Sequence, residues 1–433
     1  MIMTAKTPIL LVIFFLSSIC SVSYGQIKPD TLRIYPEEAE QLFLRNNLSL
    51  IAERLNIDQA NALILQAKVW PNPNLSIDEI NLNRNSTSES IPPLFGSFAR
   101  NQQFTVQLEQ LILTARKRKK NISLEVSNKQ LAENTFIDFL QSLKVEFRAL
   151  LANLLFNQET FSDLERQAQL VNKLVKAQEV QLQEGNISQA SYLRLKALGI
   201  ELLSELNETS EERNKLQSNL KTLMAISGST FIVLNDNKLN EKTINKWSDM
   251  PYTALLEMAD HHNSQLKIAN SLKEVSSSTL AVEKAKRIPD LTVNLNYDRN
   301  GSTMFNFFGA GISFDLPLFD RNKGNIKYAT IEMKKQEQLT EEKRNAIRNQ
   351  LDETYKNIRQ RIQLYRSFDA NYLVQLEKMQ SSIANNLLSR NLSLLEFLDL
   401  FDSFKSNKQL YYKTKRDIQL QACELTYIIG KDL

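Results

Sequence analysis

Leu291-Thr292-Val293-Asn294-Leu295-Asn296-Tyr297 alternates apolar and polar side chains without a slip, and Phe308, Ala310, Ile312, Phe314 and Leu316 share one face of a return run ended by Pro317. A period of two marks strands with one apolar and one wet face. Residues 298–303, with Asn300-Gly301, read as the turn between them. Directly afterwards, residues 325–429 contain neither Gly nor Pro. That leaves room for very long helices, since some 60 residues at about 1.5 Å each span roughly 90 Å. Ordinary enzyme cores rarely use such helices.

Working outward, the same order of elements occurs once before. A helix is expected over 36–69, opened by Pro36-Glu37-Glu38 and stopped by Pro71 and Pro73. Leu75 and Ile77 begin a strand whose pattern slips near Ile80, and residues 83–100, rich in Asn, Ser, Thr and Pro, read as a long loop. Phe104-Thr105-Val106-Gln107-Leu108-Glu109 is the return strand. Helices over 114–184 and 187–227 follow, with Gly185-Asn186 as the hairpin tip. Residues 228–250 read as a connector, and a helix over 251–287 reopens the pattern. Helices over 322–388 and 392–429, with a tip at Arg390-Asn391, complete it. A shift of 216 places superposes Asn47 on Asn263, Leu50 on Leu266, Pro73 on Pro289 and Leu75 on Leu291, whereas near the tips a shift of 205 lays Asn186-Ile187-Ser188 over Asn391-Leu392-Ser393. The chain therefore divides into 1–25, a first repeat over 26–227, a connector over 228–250 and a second repeat over 251–433.

The first segment has the form of a secretory signal peptide: Lys6, an apolar run from Ile9 to Ile19, and Ser23-Tyr24-Gly25 before Gln26. Cys20 ends the apolar run, but Ile19 before it does not suit lipoprotein processing. Removal of this segment leaves Cys423 as the only cysteine, which excludes a disulfide scaffold. The balance of 53 Lys plus Arg against 49 Asp plus Glu makes no case for nucleic-acid binding. No window after the leader is apolar enough for a membrane-spanning helix. Transmembrane β-barrels pass that test too, because only alternate strand residues face lipid.

Four strands of about ten residues can each cross a bilayer when tilted, yet four cannot close around a pore. Three copies would supply twelve, and their helical hairpins would form a second, helical tube in water. The expected fold is mainly α with a small β part: an internal duplication whose hairpins build a periplasmic α-barrel under a trimeric twelve-stranded transmembrane β-barrel.

Little in the sequence speaks for chemistry. Phe136, Phe139, Leu140, Leu143, Phe147, Leu150, Leu151 and Leu154 recur at three and four, which is helix packing. His261-His262 and Cys423 form no cluster with metal-ligand spacing, and no nucleophile-base pair or phosphate loop is present. Neither enzymatic activity nor a cofactor is expected. The basic run from Arg116 and Lys117 through Lys120 lies where a strand leaves the membrane; it reads either as a headgroup contact or as a solvated helix start.

Phe314-Asp315-Leu316-Pro317-Leu318-Phe319-Asp320-Arg321-Asn322-Lys323-Gly324 resembles a signature of the TolC family of outer-membrane efflux factors, in its heavy-metal, CzcC-like branch. The first junction, Leu108 to Arg118, is similar to the family's, with Arg116 where Gly is usual. Arg390-Asn391-Leu392-Ser393 resembles the family's helix tip, again without its usual Gly. The resemblance implies a homotrimer in outer-membrane lipid, with tips including Gly185, Asn186, Ser188, Asn391, Leu392 and Ser393 docking a periplasmic adaptor. It implies a resistance-nodulation-division type inner-membrane pump as the energy source and metal cations as cargo, with drugs or secreted peptides as alternatives. By the same match Glu396 and Asp399 fall where a ring of carboxylates guards the periplasmic entrance, and Arg194, which replaces one acid in the first hairpin, is a candidate partner for Asp399. Solvated charges that keep the tip soluble are the plainer alternative. Rivals of another class are a periplasmic adaptor and a coiled-coil scaffold without a pore.

Overall fold

A computed structural model describes residues 31–80, 93–96, 102–235, 241–300, 304–368 and 370–432. In chain order it contains β1 (Thr31–Ile34), α1 (Pro36–Asn46), α2 (Leu48–Lys68), β2 (Asn74–Asp78), β3 (Thr105–Ile112), α3 (Lys117–Gln183), α4 (Gln189–Met224), β4 (Phe231–Leu234) and α5 (Glu241–Asp249). The second half holds α6 (Tyr252–His262), α7 (Ser264–Lys286), β5 (Leu291–Asn300), β6 (Phe305–Ser313), α8 (Lys323–Arg366), α9 (Ala370–Leu388) and α10 (Leu394–Ile429). At 67 residues, α3 is about 100 Å long.

The expected helix over 36–69 is broken at Asn47, and the one over 251–287 is broken at Asn263, in the same way. Each Asn leaves helical geometry, its side-chain oxygen accepts the N–H of Leu50 or Leu266 at 2.9 Å, and so it caps the following helix. The same side chain's amide donates to the carbonyl of Leu223 (2.9 Å) or Ile428 (2.8 Å), at the far end of its own repeat's hairpin. The hairpins then close on left-handed residues, Ala225 and Gly430. Gly430 is required, because a Cβ there would meet the backbone of His262. The chain end is tied across to the first repeat: Asp432 accepts from Lys144 (2.5 Å) and Arg148 (2.7 Å), and Arg148 also forks onto Glu40 at 2.8 Å. Burial raises the Asp432 carboxyl, but these two cations outweigh it and hold it down at about 2.

The residues read as a connector, 228–250, contain β4 and α5, and β4 pairs in parallel with β1. Glutamines complete this ribbon's hydrogen bonding: Gln217 donates to and accepts from Ile232, and Gln158 does the same for Leu234. The helix over 322–388 is interrupted after Arg366, where Ser367 and Phe368 bond three residues back and Phe368 packs on Tyr411 with ring centroids 5.6 Å apart. The leader and most of the 83–100 loop lie outside the described residues.

Each repeat has its own core at the level of these breaks, the first around Phe43, Phe147, Leu154 and Met224, the second around Trp247, Leu351, Ile358 and Leu425. Phe43 and Phe147 stack at 4.5 Å. A third core nearer the tips mixes both repeats, joining Leu174 and Leu195 to Ile383, Phe397 and Phe401.

The remaining strands form one antiparallel sheet in the order β2-β3-β5-β6. Its register sorts the faces. Leu75, Leu108, Leu295 and Ala310 form one cross-strand row, and Ile77, Val106, Tyr297 and Phe308 the next. The other face carries Asn74, Glu109, Asn294 and Gly311, then Ser76, Gln107, Asn296 and Gly309. Side chains of Asn294 and Asn296 lie over β6 where any Cβ at Gly311 or Gly309 would stand. Phe314 and Leu316, expected to extend β6, lie beyond its end, and β5 runs on to Asn300, into the first residues of the expected turn.

Asn47→Ala and Asn263→Ala remove a cap and orphan a buried carbonyl. Each is expected to cost about 2 kcal/mol, read as a lowered melting temperature, with the two losses nearly additive because the sites belong to different cores.

Candidate functional site

The two strand-to-helix junctions are built alike. Arg116 and Asn322, which precede α3 and α8, both sit in the left-handed region, at φ 57° and 56°. That conformation suits Gly or Asn, so Arg116 holds it under strain. At the first junction Asp290 accepts the Thr114 N–H at 2.9 Å and pairs with Lys117 at 2.8 Å. At the second, Asn322 donates to the Glu283 backbone (2.9 Å) and carboxylate (2.8 Å), Asp320 accepts the Asn322 N–H at 2.8 Å, and Arg321 reaches the Pro317 carbonyl at 3.1 Å. Lys286 and Asn322 lower the Glu283 carboxyl. Gly324 has open space where a Cβ would be, so it is not needed sterically.

The tips also match. Gly185 and Arg390 are both left-handed, at φ 73° and 61°. Around them the Asn186 and Asn391 N–H groups reach back to Gln181 and Asn386, while Gly185 and Arg390 reach Leu182 and Leu387. This is the Schellman closure, made once with glycine and once with arginine. The Arg390 guanidinium also donates to Gln181 at 2.5 Å, linking the tips. Ser188 and Ser393 cap the returning helices. A cleft of about 440 Å³ lies between the tips, lined by Asn186, Ile187, Ser191, Arg390, Leu392 and Ser393 among others.

Glu396 has a local role that spacing did not reveal. Its carboxylate accepts from the Ser393 N–H (2.9 Å) and hydroxyl (2.7 Å), while the Ser393 oxygen accepts the Glu396 N–H. This capping box opens α10 and lowers the Glu396 carboxyl through the Ser393 side chain, then its backbone. Asp399 and Arg194 are exposed, and among the described residues no ion pair joins them within the chain.

A second set of charges was missed. Lys405, Lys408 and Lys415 of α10 reach Glu205 on α4, Asp163 on α3 at 2.5 Å and Glu159 on α3 at 2.7 Å. Lys408 and Asp163 are both buried, and Arg166 and Gln167 also bind Asp163. Lys408 continues the stripe Phe397, Phe401, Phe404, and a lysine in a core position was the available signal. Burial pushes the Cys423 thiol up to about 11. Among the described residues no three His, Cys, Asp or Glu side chains are grouped to hold a metal, and no helix is long and apolar enough to cross a membrane.

Lys408→Met leaves Asp163 buried with a missing cation and is expected to destabilise by about 3–5 kcal/mol, whereas Lys408→Met/Asp163→Leu lies close to wild type. Denaturant titration of the three proteins measures this. For the tip, Glu396→Ala should speed amide exchange at the start of α10 while Glu396→Gln should not. Because the folded-state pKa is lowered, the wild-type protection is fully present at neutral pH and is lost as pH falls below the ordinary Glu range; Glu396→Gln removes that dependence.

A sequence profile described as "Outer membrane efflux protein" matches residues 40–229 and 255–385. The cobalt-zinc-cadmium resistance protein CzcC of Cupriavidus metallidurans is 23% identical over 328 residues, covering 74% of this chain and 73% of that protein. Among solved structures, CusC aligns with a TM-score of 0.73 at 14% identity, covering 92% of each chain. VceC of Vibrio cholerae aligns at 0.70 and 14%, covering 92% of this chain and 96% of its own. With most of its length matched, the chain belongs to the outer membrane efflux protein family, whose members are passive outer-membrane channels with a helical periplasmic extension rather than enzymes.

Proposed function

We propose that three copies of this chain close into one duct that passes metal cations outward, coupled through a periplasmic adaptor to a resistance-nodulation-division type inner-membrane pump. The cargo rests on one observation, the similarity to a cobalt-zinc-cadmium resistance protein along three quarters of the chain. Closure by further copies is supported by what one chain leaves unpaired. β2 and β6 are open edges of an amphipathic sheet. Below them α2 and α8 are the outermost of four neighbouring helices, α2-α3-α7-α8, and expose Leu48, Ile51, Leu55, Leu63 and Leu65 on one side and Tyr328, Ile331 and Leu339 on the other. The matching order of strands, β2-β3-β5-β6, and helices, α2-α3-α7-α8, supports one symmetry axis for both tubes. Glu396 and Asp399 near the tips are the carboxylates proposed to favour cations at the entrance.

Single-channel conductance in a planar bilayer tests the duct, with Glu396→Gln/Asp399→Asn as the variant because glutamine retains the cap. A small cation-selective conductance in wild type, with the preference falling towards that of an uncharged ring in the variant, is expected. A pore indifferent to the substitutions discards the carboxylate gate, and folded protein without a pore favours a scaffold. Restored tolerance to cobalt, zinc and cadmium in a pump-proficient strain lacking its channel supports the metal cargo; restored drug tolerance alone overturns it.

A further inference from the structure

The basic run at the head of α3 is divided between two sides of the wall. Lys117 lines a cavity of about 650 Å³ together with Leu111, Thr292 and Ser313, which share a register row on the polar face of the sheet. Lys117 therefore stands on the polar, lumen side. Two residues along a helix turn about 200°, which carries Lys119 to the opposite side, below Ile112 and the apolar strand face. Between them Arg118 lies over the Trp70 indole, 4.4 Å from its centroid, and donates to the Lys68 carbonyl at 2.8 Å. Trp70 is 56% exposed even so. Arg116 and Lys119 are exposed and, among the described residues, have no ion-pair partner. The corresponding start of α8, Asn322-Lys323-Gly324-Asn325, keeps the lumen-side lysine but has Asn325 where Lys119 would be. Outward cations are thus not demanded by the junction itself.

We propose that Trp70, Arg116, Arg118 and Lys119 form a site for the headgroup of an anionic glycerophospholipid in the periplasmic leaflet. The indole lies at the level where acyl chains meet headgroups, and the free guanidinium and ammonium groups hold the phosphate. The site rests on the membrane-spanning role of the sheet and occurs once per chain, in the first repeat only.

Native mass spectrometry of the protein in mild detergent, with phosphatidylglycerol or phosphatidylcholine of identical chains added, tests it. Wild type should retain phosphatidylglycerol preferentially, and Lys119→Gln, at an exposed position, should weaken that retention about fivefold. Arg116→Gln/Lys119→Gln, which removes both free cations and keeps the Arg118 contacts to Trp70 and Lys68, should abolish the preference while assembly and melting temperature stay near wild type. Equal retention of both lipids by wild type, an unchanged preference in the double variant, or displacement of the lipid by inorganic phosphate would each overturn the site. Conductance of the same preparations separates the cases: a working pore without lipid preference refutes the headgroup site alone, and a missing pore refutes the membrane-spanning role beneath it.

Discussion

Two buried amides, Asn47 and Asn263, set the geometry on which each repeat depends. A single helix over 36–69 or 251–287 would run straight past the end of its hairpin. Breaking it frees backbone groups that must find partners away from water. One asparagine serves both needs, its oxygen capping the new helix and its amide donating to one carbonyl in the hairpin's last turn. The repeat becomes a closed hydrogen-bonded loop from α1 to the end of α4, and again from α6 to the end of α10. Valine or leucine at these positions would bury as well and leave the same two polar groups orphaned, a penalty of about 2 kcal/mol.

Above these anchors the chain is incomplete by design of its surfaces. Leu75, Ile77, Leu295 and Phe308 are all more than half exposed on one side of the sheet. In water that face and the open strand edges would be an aggregation hazard. In a bilayer, with the edges paired to further copies, the same residues are the stabilising surface. The polar face has the opposite logic: Asn294 and Asn296 spread over the glycines of β6, keeping the lumen wall low and wet.

The sequence showed what repeats with a short period or over a long span. Clean alternation at 291–297 located β5, and the absence of Gly and Pro over 325–429 located α10. The offset of 216 even paired Asn47 with Asn263 before either had a role, because both sit three residues before a core leucine. What it hid were elements held by distant partners. β1 and β4 are four residues each and exist only through each other and two glutamines. Asn47 inside a helical pattern looks neutral, since its cost appears only when the carbonyl of Leu223 is placed beside it. The tip at Arg390-Asn391 was legible from its match to Asn186-Ile187-Ser188 even without a glycine, because the Schellman closure is made by backbone groups, which tolerate a strained arginine when both helices are fixed elsewhere.

The two hairpins have the same closure but different chemistry, and this bears on the entrance. In the first, Ser188 and Ser191 hydrogen-bond to each other at 3.0 Å, a neutral counterpart of Ser393 with Glu396. Capping therefore does not require a carboxylate, and a serine at 396 would have sufficed locally. A carboxylate kept ionised by the cap holds its negative charge at a fixed place to lower pH than a free one would. Asp399, one turn further along the same face, has no such tether among the described residues. If the entrance discriminates by charge, Glu396 is the immobile part of that field and Asp399 the part free to follow a cation or a partner helix.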